Sequence, residues 1–292
     1  MNTSLEHLPA IKRDQLRLLT TIITKAVDAE KIFLYGIHAS DPGGSDLYTD
    51  PLLPDFLSSY DLLVVTHRVK HRHDYEIQDK LENRCRFRTQ VTVLVHDIEY
   101  VNKRLAEGDY FFCKILRDAI LLFDVGSIPL VEGKAPNLLS LKETAQRDFD
   151  KFWHQSDAFF KSSLYNKVRK EFKVAVFLLH QAAENAYQAI LTVFNGYKPC
   201  THNPDKLRRY TNRFSIELAM LFPRNTDEEQ HLFKLLIHGY IDARYKEEYV
   251  IGENELDLLT ERISKLLSIA SRICQNRFIS IDKLVAAGKE IY

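Results

Sequence analysis

Four polar residues interrupt an otherwise apolar run, Val174 to Tyr187 (VAVFLLHQAAENAY). Val174, Phe177, Leu178, Ala182 and Ala186 keep the i, i+3/i+4 rhythm of a buried helix face. His180, Gln181, Glu184 and Asn185 add groups that ionise or hydrogen-bond. Glu184 lies one turn beyond His180, so both face one side of the helix. A second run, Tyr240 to Tyr245 (YIDARY), puts Asp242, Arg244 and Tyr245 within about one turn. Polarity of this kind between two helices can make a ligand site. Arg244 would grip an anion through its planar fork. Asp242 would orient His180 or Arg244, and Tyr245 would stack on a base. Plainer roles stand beside these: His180 as a hydrogen-bonded core histidine, and Arg244 as an ion-pair partner of Asp242.

Other groups offer weaker chemistry. Lys167, Arg169, Lys170 and Lys173 form a basic strip that either meets phosphate or faces solvent. Tyr197, Lys198 and His202 lie in a loop that either clamps a ligand or caps a bundle. His231 and His238 stand about two turns apart, too far to share a metal.

The elements that must carry these residues change character along the chain. Helices are expected at Ile11–Ala29, His67–Cys85, Ile98–Glu107 and Phe111–Leu116. Strands are expected at Lys31–Tyr35, Asp61–Thr66, Gln90–Val95 and Ala119–Phe123, with Gly36 ending the first. Asp41 to Phe56, rich in Gly, Pro and Asp, reads as a long functional loop. This alternation describes an α/β (α+β) domain with a mixed sheet, residues 1–137. Gly126, Pro129, Gly133 and Pro136 mark the boundary. Residues 138–292 then read as an antiparallel helical bundle, with helices at Leu141–Ser162, Tyr165–Phe194, Pro204–Leu221, Asp227–Tyr245 and Glu253–Cys274. Asn225-Thr226 followed by Glu228 and Glu229 resembles a helix cap.

Composition sets limits. Lys+Arg 40 balances Asp+Glu 40, so no global field recruits nucleic acid. The cysteines, Cys85, Cys113, Cys200 and Cys274, form no C-x-x-C pair, which argues against a zinc site or a disulfide framework. No apolar run reaches the roughly 20 residues that span a bilayer. The amino terminus lacks the order of a signal peptide. A cytoplasmic protein with no membrane partner is expected.

The order Gly36-Ile37-His38-Ala39, then Ser58-Ser59-Tyr60-Asp61-Leu62-Leu63-Val64, resembles the nucleotidyltransferase domains of the polymerase β type. Those carry G-S-x-A at a turn and S-D-x-D-L-L-V on the next strand. Gly36, Ala39, Ser58 and Asp61 match. Ile37 stands where the family has Ser, and Ser59 and Thr92 stand where it has carboxylates. The resemblance implies Gly36 near the nucleotide phosphates and Asp61 as a ligand of Mg²⁺ bound with nucleotide. One carboxylate cannot hold an octahedral Mg²⁺ well. A degenerate, inactive domain is the expectation, and Asp46, Asp50 or Asp55 would have to complete an active one.

The helical half resembles the HEPN family over about Leu139 to Cys274. The resemblance rests on Leu179-His180-Gln181-Ala182-Ala183-Glu184, on Gly196-Tyr197-Lys198-Pro199 followed by Thr201-His202, and on Asp242-Ala243-Arg244-Tyr245. It implies nucleotide binding through His180, Glu184, Asp242, Arg244 and Tyr245. It also implies a homodimer, with Phe149, Phe152, Trp153, Phe159 and Phe160 supplying an interface. Ribonuclease members carry R-x4-6-H, but no His follows Arg244 at that spacing. RNA as the target of a toxin–antitoxin-like pair is the alternative, as is an active nucleotidyltransferase. The catalytic residues of either are unassigned.

Overall fold

Alternating apolar residues in the first part of the chain form a four-stranded mixed sheet in the computed structural model, which describes residues 2–39, 58–67 and 74–287. The first of two units is Met1–Asn137. Its elements run α1 (Ala10–Ala26), β1 (Ala29–Ala39), β2 (Ser58–Thr66), α2 (Asp74–Cys85), β3 (Gln90–Asp97), α3 (Ile98–Ala106), α4 (Tyr110–Asp118) and β4 (Ile120–Asp124). The sheet order is β3-β2-β1-β4. β1 pairs antiparallel with β2 and β4, and β2 pairs parallel with β3.

Side chains alternate across the pleat, so each strand feeds two cores. Ile32, Leu34, Leu62, Val64, Val93 and Val95 join Leu16, Leu19, Ile23, Ile77 and Leu81 of α1 and α2. Phe33, Leu63 and Leu94 are buried on the other face, where α3 and α4 contact the strands. A parallel pair needs a crossover, and α2 supplies it between β2 and β3.

Several element boundaries differ from expectation: α1 ends at Ala26 rather than Ala29, and β2 starts at Ser58 rather than Asp61. β1 begins two residues early and continues through Gly36 to Ala39. Gly36 does not end the strand. The register slips between Leu34 and Gly36, leaving Tyr35 as an extra residue. A bulge absorbs the irregularity and the ladder resumes. The charged helix starts at Asp74 rather than His67. Asp46, Asp50 and Asp55, and the loop expected at Asp41 to Phe56, lie outside the described residues.

The second unit is Leu138–Tyr292. It contains α5 (Leu138–Val168), α6 (Phe172–Asn195), α7 (Pro204–Thr211), a 3₁₀ turn, α8 (Ile216–Met220), α9 (Asp227–His238), α10 (Asp242–Tyr245) and α11 (Glu253–Ala286). Every residue from Ala182 to Val193 is buried, because α5, α7, α9, α10 and α11 all pack on α6. A helix this enclosed must satisfy its polar side chains internally.

The helix ends follow local chemistry. Gly196 closes α6 in the left-handed region, φ 64°. The Thr226 hydroxyl caps α9 by accepting from Glu229 N–H, and Glu229 accepts in turn from Asn225 N–H at 2.8 Å. Several expected boundaries move, and α11 runs past the expected end at Cys274 to Ala286. α5 runs on to Val168, so the α5–α6 turn lies at Arg169 to Glu171, with Lys170 at φ 63°. The expected Pro204–Leu221 helix divides into α7, the 3₁₀ turn and α8. The expected Asp227–Tyr245 helix breaks after His238.

Candidate functional site

That last break builds the site. α9 stops at Gly239, and the chain then makes a turn before α10. A Cβ at residue 239 would stand 3.2 Å from the Val176 carbonyl and 3.1 Å from the Leu236 carbonyl. Glycine therefore lets the end of α9 press against α6. The last carbonyls of a helix need partners from outside it. Leu236 O accepts from His180 Nδ1 at 2.9 Å, and Leu235 O accepts from the Tyr249 hydroxyl at 2.8 Å.

His180 is 1% exposed. A carbonyl can only accept, so Nδ1 carries the proton and Nε2 is left as an acceptor. Nε2 is buried with no hydrogen-bond partner among the described residues. It lies 4.0 Å from a Glu184 carboxylate oxygen, another acceptor. Burial pushes the His180 pKa down to about 4, against the pull of the Leu236 and His202 carbonyls; the latter is near without closing a hydrogen bond. At neutral pH the ring is uncharged. The other Glu184 oxygen accepts from the exposed His202 Nδ1 at 2.7 Å. The loop after α6 is thereby tied to the helix, and Gln188 also donates to Thr201 O.

Tyr240 stacks on His180, centroids 5.2 Å apart, and on Phe177. Arg244 covers these rings. Its guanidinium carbon is 4.4 Å from the Tyr240 centroid, 5.0 Å from Phe177 and 4.9 Å from Tyr245. Its Nε donates to Tyr240 O at 2.5 Å. Arg244 is exposed and makes no ion pair with a carboxylate among the described residues. His180, Glu184, Arg244 and Tyr245 thus belong to one connected cluster.

Asp242 turns elsewhere. Its oxygens take His238 Nδ1 at 2.9 Å and Lys246 Nζ at 3.0 Å. The Lys246 hydrogen bond, ahead of that from His238, holds its carboxyl below the usual carboxylate range. Neither His180 nor Arg244 is oriented by it. The reason is helical spacing: Lys246 is four residues on and His238 four residues back, while Arg244, two residues on, points to another side.

Most of the other polar groups are engaged. Lys167 pairs with Asp257, Lys173 Nζ donates to the Lys246 and Glu247 carbonyls, and Arg169 lies on Tyr165. His231 pairs with Glu255. Lys198 lies over Phe152. Sequence reasoning passed over Tyr240, whose ring joins His180 to Arg244; its place one turn before Arg244 was the available signal.

In the first unit, Gly36, Asp61 and Thr92 stand in one row across β1, β2 and β3. Asp61 is buried, 5% exposed, and Thr92 faces it where a carboxylate would be needed. Among the described residues no cluster of three His, Cys, Asp or Glu side chains could hold a metal ion. Among the described residues Asp61 is the one carboxylate in this row, and one carboxylate does not fit an octahedral Mg²⁺. The thiols of Cys85 and Cys274 are buried, and burial pushes them up to about 11 and about 12, which leaves them unreactive.

Residues 149–276 match the family model of the HEPN domain. The matched residues fall in the helical unit, which follows a small mixed α/β unit. No curated protein matches the chain. The crystal structure of a nucleotidyltransferase-like protein from Exiguobacterium sibiricum 255-15 aligns over 92% of this chain and 79% of that one, at 11% identity and a TM-score of 0.29. That likeness is too loose to carry fold or function. No helix among the described residues is long and apolar enough to cross a membrane.

Proposed function

We propose that the protein binds a nucleotide through its HEPN domain, and that its α/β domain does not transfer nucleotides. The observation that carries this reading is Arg244. An exposed guanidinium without a carboxylate partner, fixed over three rings with its Nε already bonded, presents its remaining N–H groups to an oxyanion. Tyr245, 74% exposed, supplies a ring on which a base stacks. Phosphate on Arg244 and base on Tyr245 account for both. Among the described residues of the α/β domain, Asp61 stands in a row with Gly36 and Thr92, and no second carboxylate joins it there.

RNA cleavage is the weaker reading. His180 is buried, with Nδ1 committed to Leu236 O and its ring stacked on Tyr240. An imidazole so placed has no path to a scissile phosphate.

A second copy of the chain is the proposed protein partner. Phe149 and Phe152, once expected at an interface, are buried in the bundle, where Phe149 packs on Trp153 and Phe278. Apolar side chains exposed nearer Arg244, among them Val174, Ile241 and Tyr245, support that end instead. Light scattering of the full chain should report two copies.

The deciding experiment is a thermal-shift and calorimetric screen of nucleotides with and without Mg²⁺. Ligand at 100 Kd adds about 2.7 kcal/mol to stability. No shift with any nucleotide would end the reading.

A further inference from the structure

The α7 side of the HEPN domain gathers more positive charge than it neutralises. Arg208 and Arg224 both reach the Asp205 carboxylate, Arg208 at 3.4 Å, and Arg209 approaches the same group at 3.8 Å. Leaving Arg209 aside, two guanidinium groups share one carboxylate. Both also lie over the same ring, Phe233, at 5.4 Å and 4.5 Å. Like charges so close repel. Burial lowers the Arg208 pKa first, and the Arg224 charge lowers it further. Burial raises the Asp205 carboxyl, and the charges of Arg209, Arg224 and Arg208 overcome that, leaving it below its ordinary value.

The same place holds unmatched donors. Tyr187 is 0% exposed, and its hydroxyl has no hydrogen-bond partner among the described residues. It interacts electrostatically with Arg208, Asp205 and Arg224, so it belongs to this cluster. The Nε atoms of Arg208 and Arg224 are likewise buried and unpartnered. Arg208 itself is 9% exposed. A buried donor without an acceptor is costly, and three of them in one charged cluster, beside an excess of positive charge, call for an anion.

We propose that Arg208, Arg224 and the Tyr187 hydroxyl form an oxyanion site that takes a phosphate dianion, either free or as the phosphate of a nucleotide. With Arg209 counted, three guanidinium groups face one carboxylate, and a tetrahedral dianion balances that surplus of two charges. Its oxygens accept from two guanidinium edges and one hydroxyl, a donor set that suits phosphate geometry. Arg224 lies in the loop before α9 and is the most exposed of the three, so it forms the entrance. The site shares no residue with Arg244 and is tested separately from it.

The test is calorimetric titration of the full chain, in low-salt chloride buffer, with inorganic phosphate and with AMP and ATP. Saturable binding is expected. Arg224→Gln should weaken it at least tenfold. Tyr187→Phe should weaken it several-fold while leaving the urea midpoint in phosphate-free buffer unchanged or raised, because it removes an unsatisfied hydroxyl. Lys265→Gln, a cation outside the cluster, should keep full binding. A nucleotide that displaces inorganic phosphate from the Arg224-dependent site identifies the nucleotide as the source; phosphate binding without displacement identifies the free ion. No saturable binding of phosphate or nucleotide, or binding untouched by both Arg224→Gln and Tyr187→Phe, overturns the proposal.

Discussion

Asp242 and Arg244 sit two residues apart on one short helix and do not pair. Asp242 is held by His238 and Lys246, while Arg244 lies across the rings of Tyr240, Phe177 and Tyr245. A cation that its nearest carboxylate leaves alone is available to a ligand. This separates stability from binding at the two positions.

Arg244→Lys keeps the charge and loses the fork. Nucleotide affinity should fall at least tenfold, and further in Arg244→Ala. Stability should change by no more than about 1 kcal/mol, the usual worth of an exposed cation–π contact. Asp242→Asn should leave affinity unchanged or slightly raised, since it removes a nearby negative charge. Calorimetry beside urea denaturation reads both. Unfolding of Arg244→Lys with affinity intact would reverse the assignment.

His180 should make stability depend on pH. The unfolded ring titrates near 6.5 and the folded ring near 4, so the unfolded chain binds more protons between those values. Stability is then whole above pH 6.5 and is lost as pH falls toward 4, by about 3 kcal/mol in all. Urea denaturation at pH 7 and pH 5 should show part of that loss. His180→Gln, which can still donate to Leu236 O, should flatten it. An equal slope in the variant would place the titration elsewhere.

Gly239 should resist substitution. A methyl group there meets the Val176 and Leu236 carbonyls and is 3.3 Å from Val176 Cγ2. Overpacking of this kind costs about 1–3 kcal/mol. Gly239→Ala should lower the urea midpoint and, by moving Leu236 O away from His180, weaken nucleotide binding as well. A midpoint equal to wild type would show that α9 shifts freely.

The α/β domain should leave labelled nucleoside triphosphates untouched in Mg²⁺ or Mn²⁺. Neither self-labelling nor a labelled acceptor is expected, because Ile37, Ser59 and Thr92 replace the groups that transfer requires. Turnover that disappears in Asp61→Asn would refute this.

The sequence alone determined the two kinds of architecture, because periodicity is local. Alternation at Asp61–Thr66 and Gln90–Val95 is set by the pleat, and the spacing from Val174 to Tyr187 by the helix. It also determined where several helices end, since Gly196 and Thr226 act through their own turn. Of the polar residues it marked between helices, His180, Glu184, Arg244 and Tyr245 stand in one chain of contacts. Only the tertiary structure decided how. Periodicity carried the α9 pattern through Gly239 as one helix, but packing against α6 breaks it there and frees Leu236 O for His180. Helix faces placed Asp242 near Arg244, but the competing partners His238 and Lys246 take it. The charge surplus at Arg208 and Arg224 was invisible in a chain whose charges balance, because it arises where Tyr187, Asp205 and Phe233, distant in sequence, meet.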